Sequence, residues 1–313
     1  MTASVGRLTL PNPIMTASGT AGHGAELMAY VDLSSLGAVV VKSLSPEPWA
    51  GNPPPRVHQT VVGMLNSVGL QNPGVEAWLA EELPELAAAG ARVVASVWGH
   101  TASDYGRVAK ALVAAGHRDT SPGAIVAVEV NVSCPNVEDR LRMFAHSPEG
   151  TAEAVGQVAD ALSGTGLAVW AKLSPNVTDL AQIGAAALSA GAEGLTLVNT
   201  LMGLALDPDT GRPCLGGGGG GLSGPALHPV AVRAVFECRQ AFPDAAIVGV
   251  GGVMNGRDAA ELLAAGADAV QVGTATFVDP RAPSQVLAEL EAWCREHSVA
   301  RLADLVGRAH AGR

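Results

Sequence analysis

The sequence predicts an α/β fold in which eight strand–helix units close into a (β/α)8 TIM barrel. Short apolar runs recur eight times along the 313 residues, and most are followed by Ala- and Leu-rich stretches of helical period. Near-continuous apolar strands are typical of a parallel sheet that helices cover on both faces. A doubly wound open sheet is the alternative architecture, and eight units in a chain of this length favour the barrel.

The eight apolar runs are the predicted strands of this barrel. They are IMTAS (14–18), AVVVKS (38–43), RVVASV (92–97), IVAVEVNVS (125–133), LAVWAKL (167–173), GLTLVN (194–199), AIVGVG (246–251) and AVQVG (269–273). Helical periodicity is clear in residues 151–162, 180–190 and 256–265. No linker divides the chain, and the Gly-rich run 215–225 falls between a strand and a helix. We therefore expect a single domain over residues 1–313.

Composition and charge exclude several classes of function. The formal net charge is -10, and the basic residues are scattered, which is the wrong sign and pattern for holding a nucleic-acid backbone. We expect a cytoplasmic protein without membrane contact, because no apolar run approaches the roughly 18 to 20 residues needed to span a bilayer. The four cysteines are far apart and form no CxxC pair, so we expect neither a metal site nor an iron–sulfur cluster within this chain.

Polar residues gather at the ends of the predicted strands, which is where a barrel places its chemistry. Lys42 and Lys172 end two otherwise apolar strands, and lysine is rarely buried without a partner. Asn131 and Asn199 end two further strands. Two lysines and two asparagines at one end of a barrel indicate a site for something anionic and planar.

Glycines follow the last two strands in GVGGVMNG (249–256) and QVGTATF (271–277). They allow backbone N–H groups to approach a phosphate, and barrels often bind phosphate at this position. The first run is not a dinucleotide fingerprint, because Met254 stands where GxGxxG requires its last glycine. A cofactor with a single phosphate, such as FMN, fits better than NAD.

Cys134 lies in EVNVSCPN (129–136), after the alternating run rather than inside it. A packed cysteine behaves as a small hydrophobe and would normally lie within the run. At the end of a strand, a thiol can meet a substrate. The residues alone leave both interpretations open, an inert thiol and a reactive one.

Ten short motifs follow one another along the chain. They are ASGT (17–20), KS (42–43), GNPPPR (51–56), GMLNSVGLQNPG (63–74), NVSCPN (131–136), KLSPNVTD (172–179), NT (199–200), GGLSGPA (220–226), GVGGV (249–253) and VGTATFVDP (272–280). In these motifs and their order, from about Asn12 to about Glu289, the chain resembles the class 1 dihydroorotate dehydrogenases, and most closely the catalytic subunit of their NAD-linked class 1B form.

This resemblance implies an FMN-dependent barrel that oxidises dihydroorotate to orotate in pyrimidine biosynthesis. Cys134 would be the general base, and a hydride would pass from the substrate to FMN. The implied substrate-binding residues are Lys42, Asn66, Ser67, Val68, Gly69, Leu70, Asn131, Asn199 and Thr200. The implied FMN-binding residues are Ser18, Lys42, Ser43, Ser96, Asn131, Lys172, Val198, Gly224, Gly251, Gly252, Gly273 and Thr274. Lys172 would stabilise the reduced flavin by its charge.

The family also implies partners. It suggests a homodimer, joined by a smaller subunit that carries FAD and a [2Fe-2S] cluster and passes electrons to NAD. One alternative is a class 1A-like enzyme that uses a soluble acceptor such as fumarate. Another is an FMN barrel with a different substrate, as in the dihydrouridine synthases. This sequence differs from many relatives in having Ser96 where they have asparagine.

Overall fold

The structure, a computed structural model, describes residues 1–115, 125–133 and 143–311. The strands of this part are β1 (Ala3–Val5), β2 (Leu8–Leu10), β3 (Ile14–Thr16), β4 (Val39–Val40), β5 (Val57–Thr60), β6 (Gly63–Asn66), β7 (Val93–Val97), β8 (Ile125–Asn131), β9 (Ala168–Leu173), β10 (Gly194–Leu197), β11 (Leu201–Gly203), β12 (Gly220–Ser223), β13 (Ala246–Val250) and β14 (Ala269–Val272).

The α-helices lie between and after these strands. They are α1 (Val75–Ala88), α2 (Ala102–Ala114), α3 (Pro148–Ala161), α4 (Leu180–Ser189), α5 (His228–Ala241), α6 (Gly256–Ala265), α7 (Ala275–Val278) and α8 (Ala282–Glu296). Short 3-10 helices cover Ala25–Ala29, Leu33–Ser35, Phe144–His146, Pro225–Leu227, Leu302–Asp304 and Arg308–His310. In the part of the chain that the structure describes, no helix is long and apolar enough to cross a membrane.

Eight strands form the barrel, in the order β3-β14-β13-β10-β9-β8-β7-β4, and every paired neighbour is parallel. A parallel bridge between Met15 and Ala38 joins the first and last strands of this order. The Gly37 amide also donates to the Ile14 carbonyl oxygen over 2.8 Å. These contacts bring the two edges together, and the predicted TIM barrel is confirmed.

The eight predicted strands coincide with the eight barrel strands. Strands β7, β8 and β9 are buried along their whole length, as expected for strands that face both the barrel interior and the covering helices. The observed strands stop one to three residues before most of the predicted ends, because the last polar residues leave the ladder for the loops. Helix α3 begins earlier than predicted, where the Ser147 hydroxyl caps the Gly150 amide and Pro148 takes the first turn.

Antiparallel additions were not predicted. The hairpin β1–β2 packs near β13 and β14. A four-stranded sheet, β11-β12-β6-β5, includes part of the Gly-rich run. A Cβ atom at Gly221 would lie 2.0 Å from Thr200 Oγ1, so only glycine permits this approach. The antiparallel sheet thereby brings residues 63–66 and 220–223 to the strand end at Thr200.

Candidate active site

A cavity of about 300 Å³ opens at the carboxyl ends of the barrel strands. This volume is within the range of small-molecule sites. Most of the predicted site residues line it: Ser18, Lys42, Ser43, Asn66, Ser67, Val68, Gly69, Leu70, Asn131, Lys172, Val198, Asn199, Thr200, Gly251, Gly252, Gly273 and Thr274. The barrel thus brings residues separated by more than 250 positions to one cavity.

A hydrogen-bonded chain connects the polar groups on one wall. The Asn131 side-chain Nδ2 donates to Ser43 Oγ over 3.0 Å, and the Asn199 Nδ2 donates to Asn131 Oδ1 over 3.3 Å. Ser43 and Ser96 share a hydroxyl hydrogen bond of 2.9 Å. Ser96 is fully buried behind Ser43 and does not line the cavity. The short serine side chain therefore supports the wall from behind.

The two predicted lysines differ in their surroundings. Lys172 is 5% exposed, and its Nζ lies 3.6 Å from Oε1 of the buried Glu129. Lys42 passes close to the first loop of the barrel, since a Cβ at Gly19 would lie 3.0 Å from Lys42 Nζ. One lysine is thus paired within the barrel interior, and the other lies at the loop rim of the same cavity.

His23 is the titratable neighbour of Lys42. The Lys42 amide donates to the Gly22 carbonyl oxygen over 2.9 Å, which holds the two segments together. Burial lowers the pKa of His23 from its usual 6.5, Glu26 raises it, and Lys42 lowers it again, with a net decrease. Burial and the lysine together favour the neutral ring.

The segment Asn66–Leu70 forms one side of the cavity. Its Ser67 hydroxyl accepts a hydrogen bond of 2.9 Å from Asn52 Nδ2, and its Gly69 carbonyl accepts one of 2.9 Å from Trp49 Nε1. Asn66 Nδ2 donates to the Gly221 carbonyl over 3.2 Å. Three anchors therefore hold the predicted substrate segment, and none of the anchoring residues, Trp49, Asn52 and Gly221, was predicted as a site residue.

Glycines line one end of the cavity. Gly252 has a φ of +68°, and a Cβ there would lie 2.8 Å from the Gly224 carbonyl oxygen and 2.7 Å from the His228 amide nitrogen. Gly224 itself does not line the cavity, although its neighbour Ser223 does. The Thr274 hydroxyl donates to Ser223 Oγ over 2.8 Å and ties the two loops together. Backbone without side chains suits a phosphate group, because no Cβ atom keeps the peptide N–H groups away from the phosphate oxygens.

Asn176 is a cavity residue that the sequence analysis did not assign. Its Nδ2 donates to Ser174 Oγ over 2.8 Å and to the Thr200 carbonyl over 2.9 Å, while its Oδ1 accepts from the Met202 amide over 2.8 Å. The residue lies in the KLSPNVTD motif, just after the predicted strand 167–173. This position after a strand end is the sequence feature that could have identified it as a site residue. It fixes the loop that carries Thr200.

Cys134, the predicted base, lies outside the described residues. Ser133 and Met143, which border that undescribed part of the chain, both line the cavity. Ser133 donates through its hydroxyl to the Lys172 carbonyl over 3.1 Å. The role of Cys134 stays a prediction.

Comparison with known proteins identifies related chains. A sequence profile of the family described as dihydroorotate dehydrogenase matches residues 1–293. A protein of Desulforudis audaxviator (strain MP104C) is 48% identical over 307 residues, which cover 98% of this chain and 96% of the relative. Proteins of Desulforamulus reducens and Geobacter sp. (strain M21) are 44% and 43% identical, covering 99% and 98% of this chain and 98% and 97% of the relatives. All three are named dihydroorotate dehydrogenase B (NAD(+)), catalytic subunit.

Proposed function

Because the chain belongs to the dihydroorotate dehydrogenase family, we propose that it binds FMN and oxidises dihydroorotate to orotate for pyrimidine biosynthesis. We further propose that it is the catalytic subunit of an NAD-linked enzyme. The observation that carries the proposal is the cavity at the barrel's strand ends, which is lined by Lys42, Lys172, Asn131 and Asn199 and, at one end, by glycines. We also propose that residues 1–313 act as one FMN-binding domain.

The residues of the cavity fit FMN. The glycine end, with Gly251, Gly252, Gly273 and Thr274, would hold the phosphate, and Gly224 would shape it from behind. Ser18, Ser43, Asn131 and Val198 would hold the ring system, with Ser96 supporting Ser43. Lys172 would place a positive charge at the ring, where it favours electron acceptance. When bound, FMN supplies the acceptor for a hydride.

The remaining lining residues would bind dihydroorotate. Lys42 would pair with the substrate carboxylate, and the amides of Asn66, Asn131 and Asn199 can donate to and accept from a ring that alternates C=O and N–H. Thr200 and the segment Ser67–Leu70 would enclose it. Cys134 Sγ would take a proton from one ring carbon as a hydride leaves the adjacent carbon, and the C–C single bond becomes the double bond of orotate.

We propose a homodimer of this chain with an additional subunit that carries FAD and a [2Fe-2S] cluster. The sequence has no dinucleotide fingerprint, so the route to NAD would lie on another chain. Apolar side chains at the mouth of the cavity support a protein interface there: Val57, Met202 and Phe277 line the cavity and are 54%, 58% and 58% exposed. Relatives named as catalytic subunits are consistent with such a partner.

The test is anaerobic stopped-flow absorbance on the purified chain. Dihydroorotate should bleach the flavin band, and artificial dyes should then accept the electrons, while NADH formation should be negligible. Adding the candidate subunit should restore NADH formation. A colourless chain, or a flavin that dihydroorotate does not bleach, would refute the proposed oxidation. Rapid NADH formation by the isolated chain would refute the need for a partner.

A further inference from the structure

Glu129 is a fully buried carboxylate that the proposed chemistry does not use. It precedes Asn131 by two residues on β8, so the two side chains share a face of the strand, and Glu129 lies deeper in the barrel. It is 0% exposed and does not line the cavity. The carboxylate therefore lies in the barrel interior, beneath the cavity floor.

Glu129 is held from across the barrel. Its Oε2 accepts a hydrogen bond of 2.7 Å from Nε2 of Gln271, which is on β14. Strands β8 and β14 are four places apart in the barrel in either direction, so this bond spans the interior. The other oxygen, Oε1, lies 3.6 Å from Lys172 Nζ and accepts no hydrogen bond from the described residues. The contact with Lys172 is therefore an ion pair rather than a hydrogen bond.

Of the two residues in the ion pair, Lys172 is the one that contacts the cavity. Lys172 lines the cavity, whereas Glu129 and Gln271 do not. Burial makes an isolated charge costly, so the carboxylate compensates the ammonium when the cavity holds no ligand. Buried charges also act strongly on one another, because the surroundings screen them poorly. The carboxylate of Glu129 therefore partly offsets the positive charge that Lys172 presents to the cavity.

We propose that Glu129 is a positioning residue that sets the reduction potential of the bound flavin through Lys172. This inference rests on the proposed function. The carboxylate holds Nζ at the cavity floor and moderates its positive charge, and Gln271 fixes the carboxylate. The potential of the flavin is then lower than Lys172 alone would produce, which suits delivery of electrons onward to NAD rather than retention on the flavin.

The decisive variant is Glu129→Gln, which keeps the side chain's shape and removes its charge. Equilibrium titration of the FMN-loaded chain against redox dyes, with a chemical reductant, requires no dihydroorotate. The reduction potential of the flavin should become more positive. A tenfold change in the ratio of reduced to oxidised flavin corresponds to a shift of about 30 mV. In a Lys172→Met background the same substitution should produce little shift, because the ammonium through which Glu129 acts on the flavin is then absent.

A merely structural role would lower the melting temperature and leave the potential unchanged. Should Glu129→Gln fail to fold, Glu129→Asp is the second variant. Its shorter side chain keeps the negative charge but moves it away from Lys172, so the reduction potential of the flavin should also rise. If the variant that folds binds flavin and the reduction potential of that flavin is unchanged or lower, the proposed role of Glu129 is wrong, while the proposed function still stands. A wild-type chain that binds no flavin would overturn the proposed function as well.

Discussion

The Asn199 side chain donates to the side-chain oxygen of Asn131, 3.3 Å away, although 68 residues separate them. Asn131 in turn donates to Ser43, and the Asn199 oxygen accepts from the Thr200 amide over 2.8 Å. Each of these contacts fixes the orientation of an amide. The two asparagines therefore present fixed donors and acceptors, which lowers the cost of ordering them around a planar ring.

Replacement of Asn199 should weaken substrate binding more than cofactor binding. In Asn199→Ala, Asn131 loses its partner and the ligand loses an amide, a combined effect of about 1 to 3 kcal/mol, or roughly five- to 150-fold. Orotate affinity, measured from the perturbation of the flavin spectrum, should fall by this factor. FMN content should match that of the exposed control variant Arg233→Ala. Unchanged orotate affinity would contradict the assignment.

Cys134→Ala should keep FMN and lose most of its reduction by dihydroorotate. General-base catalysis is typically worth about 10² to 10⁴ in rate, whereas the proposed flavin contacts are on other residues. Cys134→Ser should recover activity only at raised pH, because a hydroxyl ionises less readily than a thiol. Anaerobic stopped-flow bleaching measures both effects. Cys214→Ala, which alters a half-buried free cysteine, is the control, and wild-type bleaching by Cys134→Ala would reject the base.

The two lysines should separate in their effects. Lys172→Ala should weaken FMN retention and lower the flavin potential, because the positive charge at the cavity floor is lost. It should also destabilise the fold by about 3 to 5 kcal/mol, since Glu129 is left buried without its cation.

Lys42→Ala, by contrast, should keep the flavin and reduce orotate affinity and turnover. FMN content after dialysis, the potential and the orotate titration distinguish the two lysines. The same pattern in both variants would show that the division between cofactor and substrate lysine is wrong.

His23 should make the stability of the fold depend on pH. Its pKa is lowered in the folded chain from 6.5, so the unfolded chain binds this proton more readily. The free energy of unfolding should therefore rise with pH through the window below 6.5, and this contribution should be lost as the pH falls. Denaturant titrations from pH 5 to pH 8 on wild type and His23→Gln measure it. The variant should have the shallower slope, and equal slopes would contradict the burial of the ring.

The positions of the barrel strands were predictable because parallel strands inside a helix-covered barrel must be apolar along both faces. Helix α6 was predicted at its observed limits, and Asn255 and Gly266 stand at its two caps as local signals. The polar residues at the strand ends were predictable as site residues because an apolar run ends where its strand leaves the barrel interior. Most of them, Lys42 and Asn131 included, line the cavity.

Local sequence does not contain the contacts that join distant segments. The antiparallel sheet was missed because two of the four residues of β12 are glycine, whose strand propensity is low, and because its pairing with β6 is set by tertiary packing. Asn52 and Trp49 were missed because their partners lie in the segment Asn66–Leu70, which has no periodic relation to them.

The sequence by itself determined the barrel, its strand ends and the family, because apolar periodicity and motif order are properties of the chain read residue by residue. Only the tertiary structure decided that Glu129 meets both Gln271 and Lys172. Glu129 looked like one polar residue within an apolar strand, and its partner Gln271 is 142 positions away. Closure of the barrel sets two opposite strands face to face, and a buried carboxylate must find its partners there.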